Sequence, residues 1–349
     1  MTDRTSRFET SPVDATHAGL ALVVLSLALL ASSVAFQPPG GTYVLFEVGV
    51  LFTLYALILV GLNLQFGHTG LVNFGPVAFF AVGGYTAAIL TADDPFRAVG
   101  LGLPWPVGLV AAVVAAAALG VLLGVSTLRL RDDFLAIVTL AVAEIIHGVI
   151  IAFRDVTGGS VGLTNVPRPI AAAIDAGGGA DLTATVLVFG ALVVLCYGVF
   201  HRLSASPYGR VLRAIRADEQ VTETLGKRVF RYKLAAFVYG AAIAGLAGAL
   251  LVFYNGAAAE GFFTIDVTVI LWVGMLIGGA GSDRGVLGGL AIIMGFQLAT
   301  RFLNDAFPFV TQDQFASVRL MLIGLLLMLI VKYRPEGLWG DPNRRGIDS

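Results

Sequence analysis

Residues Leu62–Phe80 read LNLQFGHTGLVNFGPVAFF and separate two long apolar runs, 44–64 and 76–91. Within this stretch Asn63, Gln65, His68, Thr69 and Asn73 stand among glycines, where the flanking chain is almost free of polar side chains. Such a connector is either a tight turn whose groups cap two helix ends or irregular backbone held at membrane depth. Composition makes the membrane part of the question. Hydrophobic residues fill 57% of 349 positions and charged residues only 13%, where soluble domains carry about 25% charged residues. The mean hydropathy is strongly positive.

Apolar runs recur at 18–36, 44–64, 76–91, 107–127, 133–153, 183–201, 234–254, 264–280, 285–300 and 314–331. These lengths suit helices crossing a hydrocarbon core of about 30 Å, and the roughly ten-residue alternation of a membrane barrel is absent. The pattern predicts an all-α polytopic membrane protein with about ten transmembrane helices. The first run is longer than the core of a signal peptide and follows Asp3, Glu9 and Asp14, so it reads as a retained span.

With the amino terminus in the cytoplasm, seventeen basic residues fall inside: Arg4, Arg7, Arg129, Arg131, the eight from Arg202 to Lys233, Arg284, Lys332, Arg334, Arg344 and Arg345. Only four, Arg97, Arg154, Arg168 and Arg301, fall outside. This positive-inside asymmetry predicts that both termini are cytoplasmic. The expected layout is a cytoplasmic tail over 1–17, one transmembrane domain over 18–331 and a second tail over 332–349. The domain carries an external loop at 154–182 and a cytoplasmic loop at 202–233. The external loop, rich in Gly and Pro, reads equally as a slack connector or as a docking surface. A net charge of -1 gives no sign of a nucleic-acid partner, and the lone Cys196 allows neither an intrachain disulfide nor a cysteine metal site. No metal site is expected.

The cytoplasmic loop holds eight of the chain's 22 basic residues, against Asp218, Glu219 and Glu223. Ser206 followed by Pro207 marks a helix start, and Tyr208, Val211, Leu212 and Ile215 recur at helical spacing, leaving Arg210, Arg213 and Arg216 on another face. Asp218 can cap a second short helix, which stops at Gly226. An interfacial helix lying on anionic lipid needs basic charge and an apolar face, but has no use for clustered acids or a glycine stop. The pair reads better as a rigid lug for a soluble partner. No G-x-x-x-x-G-K-[ST] motif occurs, the nearest being LGKR at 225–228, so ATP-driven work would come from another polypeptide.

The segment SPYGRVLRAIRADEQVTETLGKRVFRYKLAAFVYGAAIAGLAGAL resembles the coupling loop and following helix of the branched-chain amino-acid ABC transporter permeases. In the family's order follow GLNLQFGHTGLVNFGPVAFFAVGGYTAAIL, LRLRDDFLAIVTLAVAEIIHGVI, TGGSVGLTNVPRP, LIGGAGSDRGVLGG and YRPEGL, which together extend the resemblance from about Val44 to Leu338. The RLRDDFLAIVTL and TGGSVGL segments fit the larger of the family's two permease subunits. The resemblance implies a multi-pass permease of the cell membrane, paired with a homologous second permease, two cytoplasmic ATPases and an external substrate-binding protein. ATP and Mg would belong to the ATPases, with no cofactor and no catalytic residue in this chain. The coupling-loop residues it implies are Arg210, Arg213, Arg216, Asp218, Glu219, Glu223 and Gly226. Relatives often carry small residues before the loop glycine, where this chain has Glu223-Thr224-Leu225-Gly226. The implied cargo is a small amino acid such as leucine, isoleucine or valine. Urea, short amides and similar solutes are also carried in the family.

Two polar features sit within the spans. Glu144 and His147 are three residues apart and so share a helix face, which predicts a buried polar pair facing protein or each other in a helix–helix hydrogen bond or, in a different kind of transporter, a proton relay. A passive channel or proton-coupled carrier would use that pair and the polar segment. Residues 65–75 lie at the cytoplasmic end of their spans yet carry no charge, which predicts either a broken or re-entrant segment whose Asn63, Gln65, His68, Thr69 and Asn73 line a translocation path or, equally, a tight glycine turn whose polar groups cap two helix ends. The Gly-broken LNLQFGHTG and LIGGAGSDRG run in the same orientation, as copies of an internal repeat would.

Overall fold

A computed structural model describes residues 41–93, 100–130, 132–173, 180–306, 321–325, 327–328, 332 and 337–339. The chain divides into two units, Met1–Glu47 and Val48–Ser349. Of the first only 41–47, the opening turns of a helix, are described, and the packing below is that of the second.

In order, the elements are α1 (Gly41–Leu62), a π-helical turn (Asn63–His68), α2 (Pro76–Thr91), α3 (Trp105–Thr127), α4 (Asp132–Ala152), the short α5 (Arg154–Thr157) and α6 (Pro169–Ala173), and α7 (Ala180–Ala205). There follow α8 (Pro207–Ala217), α9 (Glu219–Thr224), α10 (Val229–Asn255), a 3-10 turn (Glu260–Phe262), α11 (Ile265–Gly278) and α12 (Asp283–Ala306). Among the described residues every regular element is helical, apart from one isolated bridge between Leu163 and Ala258. Among the described residues six helical segments are long and apolar enough to cross a membrane: Phe46–His68, Trp105–Thr127, Asp133–Ala152, Thr183–Ala205, Val229–Asn255 and Glu260–Gly278. The protein is therefore an all-α polytopic membrane protein. The expected span 18–36 lies outside the described residues, and 314–331 is described only at 321–325 and 327–328, both helical.

Proline opens several helices, at Pro76, Pro106 and Pro207, where its missing N–H costs nothing because first-turn amides have no intrahelical partner. Gly256, at φ 68, ends α10 in a left-handed cap.

The core is built on α10. Of its most apolar window 72% is buried, against 22% for α4 and for α7. Small residues make this possible. A Cβ on Gly83 of α2 would lie 2.2 Å from the Gly245 carbonyl oxygen, and one on Gly248 would lie 2.0 Å from that of Phe80. On α3, Gly108, Ala112, Ala116, Gly120 and Gly124 recur every fourth residue, and all are buried. A Cβ on Gly120 would meet Ala241 at 2.8 Å. Lipid tails are as apolar as leucine, so helices in a bilayer gain little from hydrophobicity and associate through such close backbone approach.

The first part of the 154–182 loop is pinned rather than slack. Leu163 and Ala258 exchange backbone hydrogen bonds of 2.8 and 2.9 Å, Val166 N–H donates to Gly256 at 3.1 Å, and the Arg168 guanidinium donates to the Asn255 carbonyl.

Gly83→Val should force α2 off α10 and lower the unfolding temperature in detergent by the equivalent of about 1–3 kcal/mol or more. Gly190→Ala, where an added Cβ meets nothing within 4 Å, should leave it unchanged.

Candidate functional site: the polar turn and the lug

The five polar residues of the opening stretch are all buried, with Asn63, Gln65, His68, Thr69 and Asn73 each at most 5% exposed, and they form a Gln65–Asn73 pair and a separate Asn63–His68 network. The Asn73 amide donates to Gln65 Oε1 at 2.9 Å, and Gln65 Nε2 donates to the Phe237 carbonyl of α10 at 2.9 Å. Thr69 Oγ1 donates to Leu64 O at 2.9 Å and closes the turn. Asn63 reaches the α11–α12 connector: its Oδ1 accepts from Gly281 N–H at 2.7 Å and its Nδ2 donates to Asp283 Oδ1 at 2.9 Å. Gly67 permits that reach, since a Cβ there would stand 2.1 Å from Asn63 Oδ1. The two Gly-broken segments noted as a possible repeat are thus in direct contact.

Asp283, which the sequence pattern did not single out, is the centre of this network. It begins α12, ahead of that helix's apolar stretch 285–300. Its Oδ1 also lies 3.2 Å from His68 Nε2. Its Oδ2 lies 3.2 Å from His201 Nδ1 and accepts from Ser204 Oγ at 3.4 Å, both from the end of α7. Burial by itself would raise the carboxyl pKa, but hydrogen bonds and charge from His68 and His201 outweigh it and hold the group below its ordinary value. Trp272 of α11 clamps the turn's other side. Its indole N–H donates to Asn73 O at 3.0 Å, Phe74 stacks on it at 4.6 Å, and Phe66 meets it edge-on at 4.8 Å.

The lug helices have the expected boundaries. In α8, Leu212 and Ile215 are buried, while Arg210, Arg213 and Arg216 are exposed. Asp218 Oδ1 accepts from Val221 N–H at 2.9 Å as the cap of α9, and Gly226 takes φ 77. Ser206 holds the cap position of α8, but its hydroxyl turns back to donate to Leu203 O at 2.6 Å. The arginines differ in role. Arg213 donates to Ser204 O at 2.8 Å, and Arg216 donates to the Gly67 carbonyl of the π turn with its guanidinium 5.4 Å from the Phe66 ring centroid. Glu219 pairs with Lys233, a buried cation at the base of α10. Val221 and Leu225, at 54% and 73%, are the exposed apolar tip, with Glu223 beside them. Between lug and bundle runs an open cleft of about 490 Å³, lined by Tyr208, Tyr232, Lys227, Arg228 and Arg231.

Residues 44–331 match the family described as "Branched-chain amino acid transport system / permease component". The chain belongs to this family. It is 31% identical to the high-affinity branched-chain amino acid transport system permease protein LivM of Escherichia coli (strain K12), over 95% of this chain and 78% of that protein. It is 28% identical to the probable LivM of Methanocaldococcus jannaschii, over 82% and 90% of the two chains. To the permease protein LivH of Escherichia coli it is 25% identical, over 82% and 92%. No solved structure matches the chain. As a permease component the protein is a transporter subunit and not an enzyme.

In this permease the expected Glu144–His147 pairing is corrected. His147 Nε2 lies 3.0 Å from Glu260 Oε2 of the 3-10 turn, an ion-pair distance that lacks hydrogen-bond alignment. Glu144 is exposed and makes no ion pair among the described residues. Spacing of three makes two side chains neighbours without deciding which partner each takes, and Glu260 competes successfully for His147.

Asp283→Ala strands the Asn63 and His68 donors and should cost about 2–4 kcal/mol in detergent unfolding, whereas the exposed Glu223→Ala should stay within about 0.5 kcal/mol. Because the folded carboxyl is held below its ordinary value of 3.8, the gap between wild type and Asp283→Ala should be full above that pH. It should shrink as pH falls through the lower folded value, and a gap that instead widened in acid would contradict the network.

Proposed function

We propose that the chain is the larger membrane subunit of an ATP-driven importer of branched-chain amino acids in the plasma membrane. Its partners are a homologous second permease, two cytoplasmic ATPases and an external binding protein. The observation that carries this reading is the α8–α9 lug: a short, rigid pair with an exposed Val221–Leu225 tip, braced to the bundle by Arg213, Arg216 and the Glu219–Lys233 pair. In this reading the lug is the coupling element that enters the ATPase. ATP and Mg are bound there and not in this chain.

The proposed topology has about ten spans in one permease domain over 18–331, with cytoplasmic tails at 1–17 and 332–349, supported by seventeen basic residues inside against four outside. ATP binding closes the ATPases, α8 moves with them, and Arg216 passes the motion to the π turn and so to α1, α10 and α12. The polar groups of Asn63, Gln65, His68, Thr69 and Asn73 are engaged by protein partners, so their proposed part is that of a joint bordering the path.

Reconstitution into liposomes with the partner subunits tests the reading: leucine uptake should require both ATP and the binding protein. Uptake by this chain alone would establish a channel or carrier instead, and preference for urea or short amides would change the cargo. Arg210→Glu combined with Leu225→Glu should reduce ATPase copurification by about tenfold or more with membrane insertion intact, since hot-spot losses of 1–2 kcal/mol each are ordinary at such tips.

A further inference from the structure

Among the described residues, Glu144 is a charge whose position the fold leaves unexplained. It is the twelfth residue of the span Asp133–Ala152, about 16 Å along it at 1.5 Å per residue and so near the middle of a core about 30 Å thick. A glutamate side chain is too short to reach either interface from there. The site is open. Glu144 is exposed, as are Ala141 and Ile145 on the same turn, and a Cβ added at Gly148 one turn further on would meet nothing within 4 Å. Toward the outer end the polar surface continues: His147 and Glu260 stand 3.0 Å apart with side chains 27% and 28% exposed. An acid held in lipid at mid-depth costs several kcal/mol, so this face of α4 meets water or a polar ligand.

We propose that Glu144 lines the aqueous translocation path and receives the α-ammonium group of the amino acid in transit. This rests on the import of amino acids argued above. The chemistry fits that cargo class. A zwitterion crossing the low-dielectric region keeps its ammonium solvated only if an anion or several acceptors replace water, and one carboxylate with a small-residue notch beside it supplies the anion without filling the passage. A branched aliphatic side chain then rests against the apolar residues that flank Glu144 on α4, such as Leu140 and Ile145, both exposed.

The complete transporter, with both permeases, the ATPases and the binding protein, is reconstituted in liposomes. Glu144→Gln should raise the half-saturation concentration for leucine uptake by about tenfold or more, while Glu144→Asp should stay within about threefold. In a Cys196→Ser background, Glu144→Cys should react with a water-soluble cationic methanethiosulfonate reagent, and saturating leucine should slow that reaction at least about fivefold. Protection by leucine is a readout that a merely structural role would not move. Wild-type half-saturation in Glu144→Gln overturns the assignment. So does a cysteine at 144 that stays unreactive in both resting and nucleotide-trapped states, which would mark the position as covered by protein or lipid. A wild-type complex that moves no leucine overturns the import reading, and the ammonium role with it, a result told apart from the others because it appears before any substitution is made.

Discussion

A half-buried carboxylate, its side chain 19% exposed, with four neighbouring donor groups fixes the end of the bundle that carries the lug. Asp283 draws Asn63 and His68 from the π turn and His201 and Ser204 from the end of α7. An isolated buried anion costs several kcal/mol, so it is tolerated only where such donors converge, and their convergence constrains every helix that supplies one. It also accounts for the π geometry. In an α-helix, residues five apart point about 140° away from one another. The wider turn, closed by bonds between residues five apart, brings them to one side. Asn63 and His68 are five apart, and the helical pattern changes to π at Asn63. The widened turn lets both reach the same oxygen.

The same turn ties the lug to the bundle. The carbonyl of Gly67 accepts from Arg216 of α8, and Gln65 holds the Phe237 carbonyl of α10. The second anchor is independent: Glu219 of α9 on Lys233 of α10. A displacement of α8 therefore acts on the ends of α1, α7 and α12 together, with α10 held against α2 and α3 by backbone contacts too close to slide without clash. Stiffness in the packed trio and a multiply bonded joint at its end are what a lever needs if movement at the lug is to reach the membrane helices undissipated.

Hydropathy made six of the expected spans legible, because twenty apolar residues in a row have few other uses. Local chemistry made α8 and α9 legible to within a residue, because Pro207, Asp218 and Gly226 act on their own neighbours. The polar set at 63–73 was visible as a set, but its central partner was not. Asp283 is 220 residues from Asn63, in a glycine-broken connector whose carboxylate carries no periodic signature. Trp272 and His201 were hidden for the same reason, as apolar-run residues whose polar edges matter only once helices meet. The Glu144–His147 spacing places two side chains on one face without choosing their partners, and the acid that meets His147 comes from a turn more than a hundred residues later.

The exposed faces of α4 and α7 carry different amounts of information. Val188, Leu195 and Val199 on α7, like Ile137 and Val149 on α4, are open and apolar. Such a surface is equally content against lipid or against another helix, because neither exchange changes the apolar area in contact with water. Nothing about a neighbour follows from it. A carboxylate is different, since its free energy changes by several kcal/mol between hydrocarbon and a polar surrounding. Glu144 therefore discriminates among environments that the aliphatic side chains around it cannot, and the surface of α4 divides into a sector indifferent to its surroundings and a sector that requires water or a polar group at mid-depth. A single chain in bare lipid would leave that requirement unmet. A path shared between this subunit and another satisfies it without any change in the fold of this one.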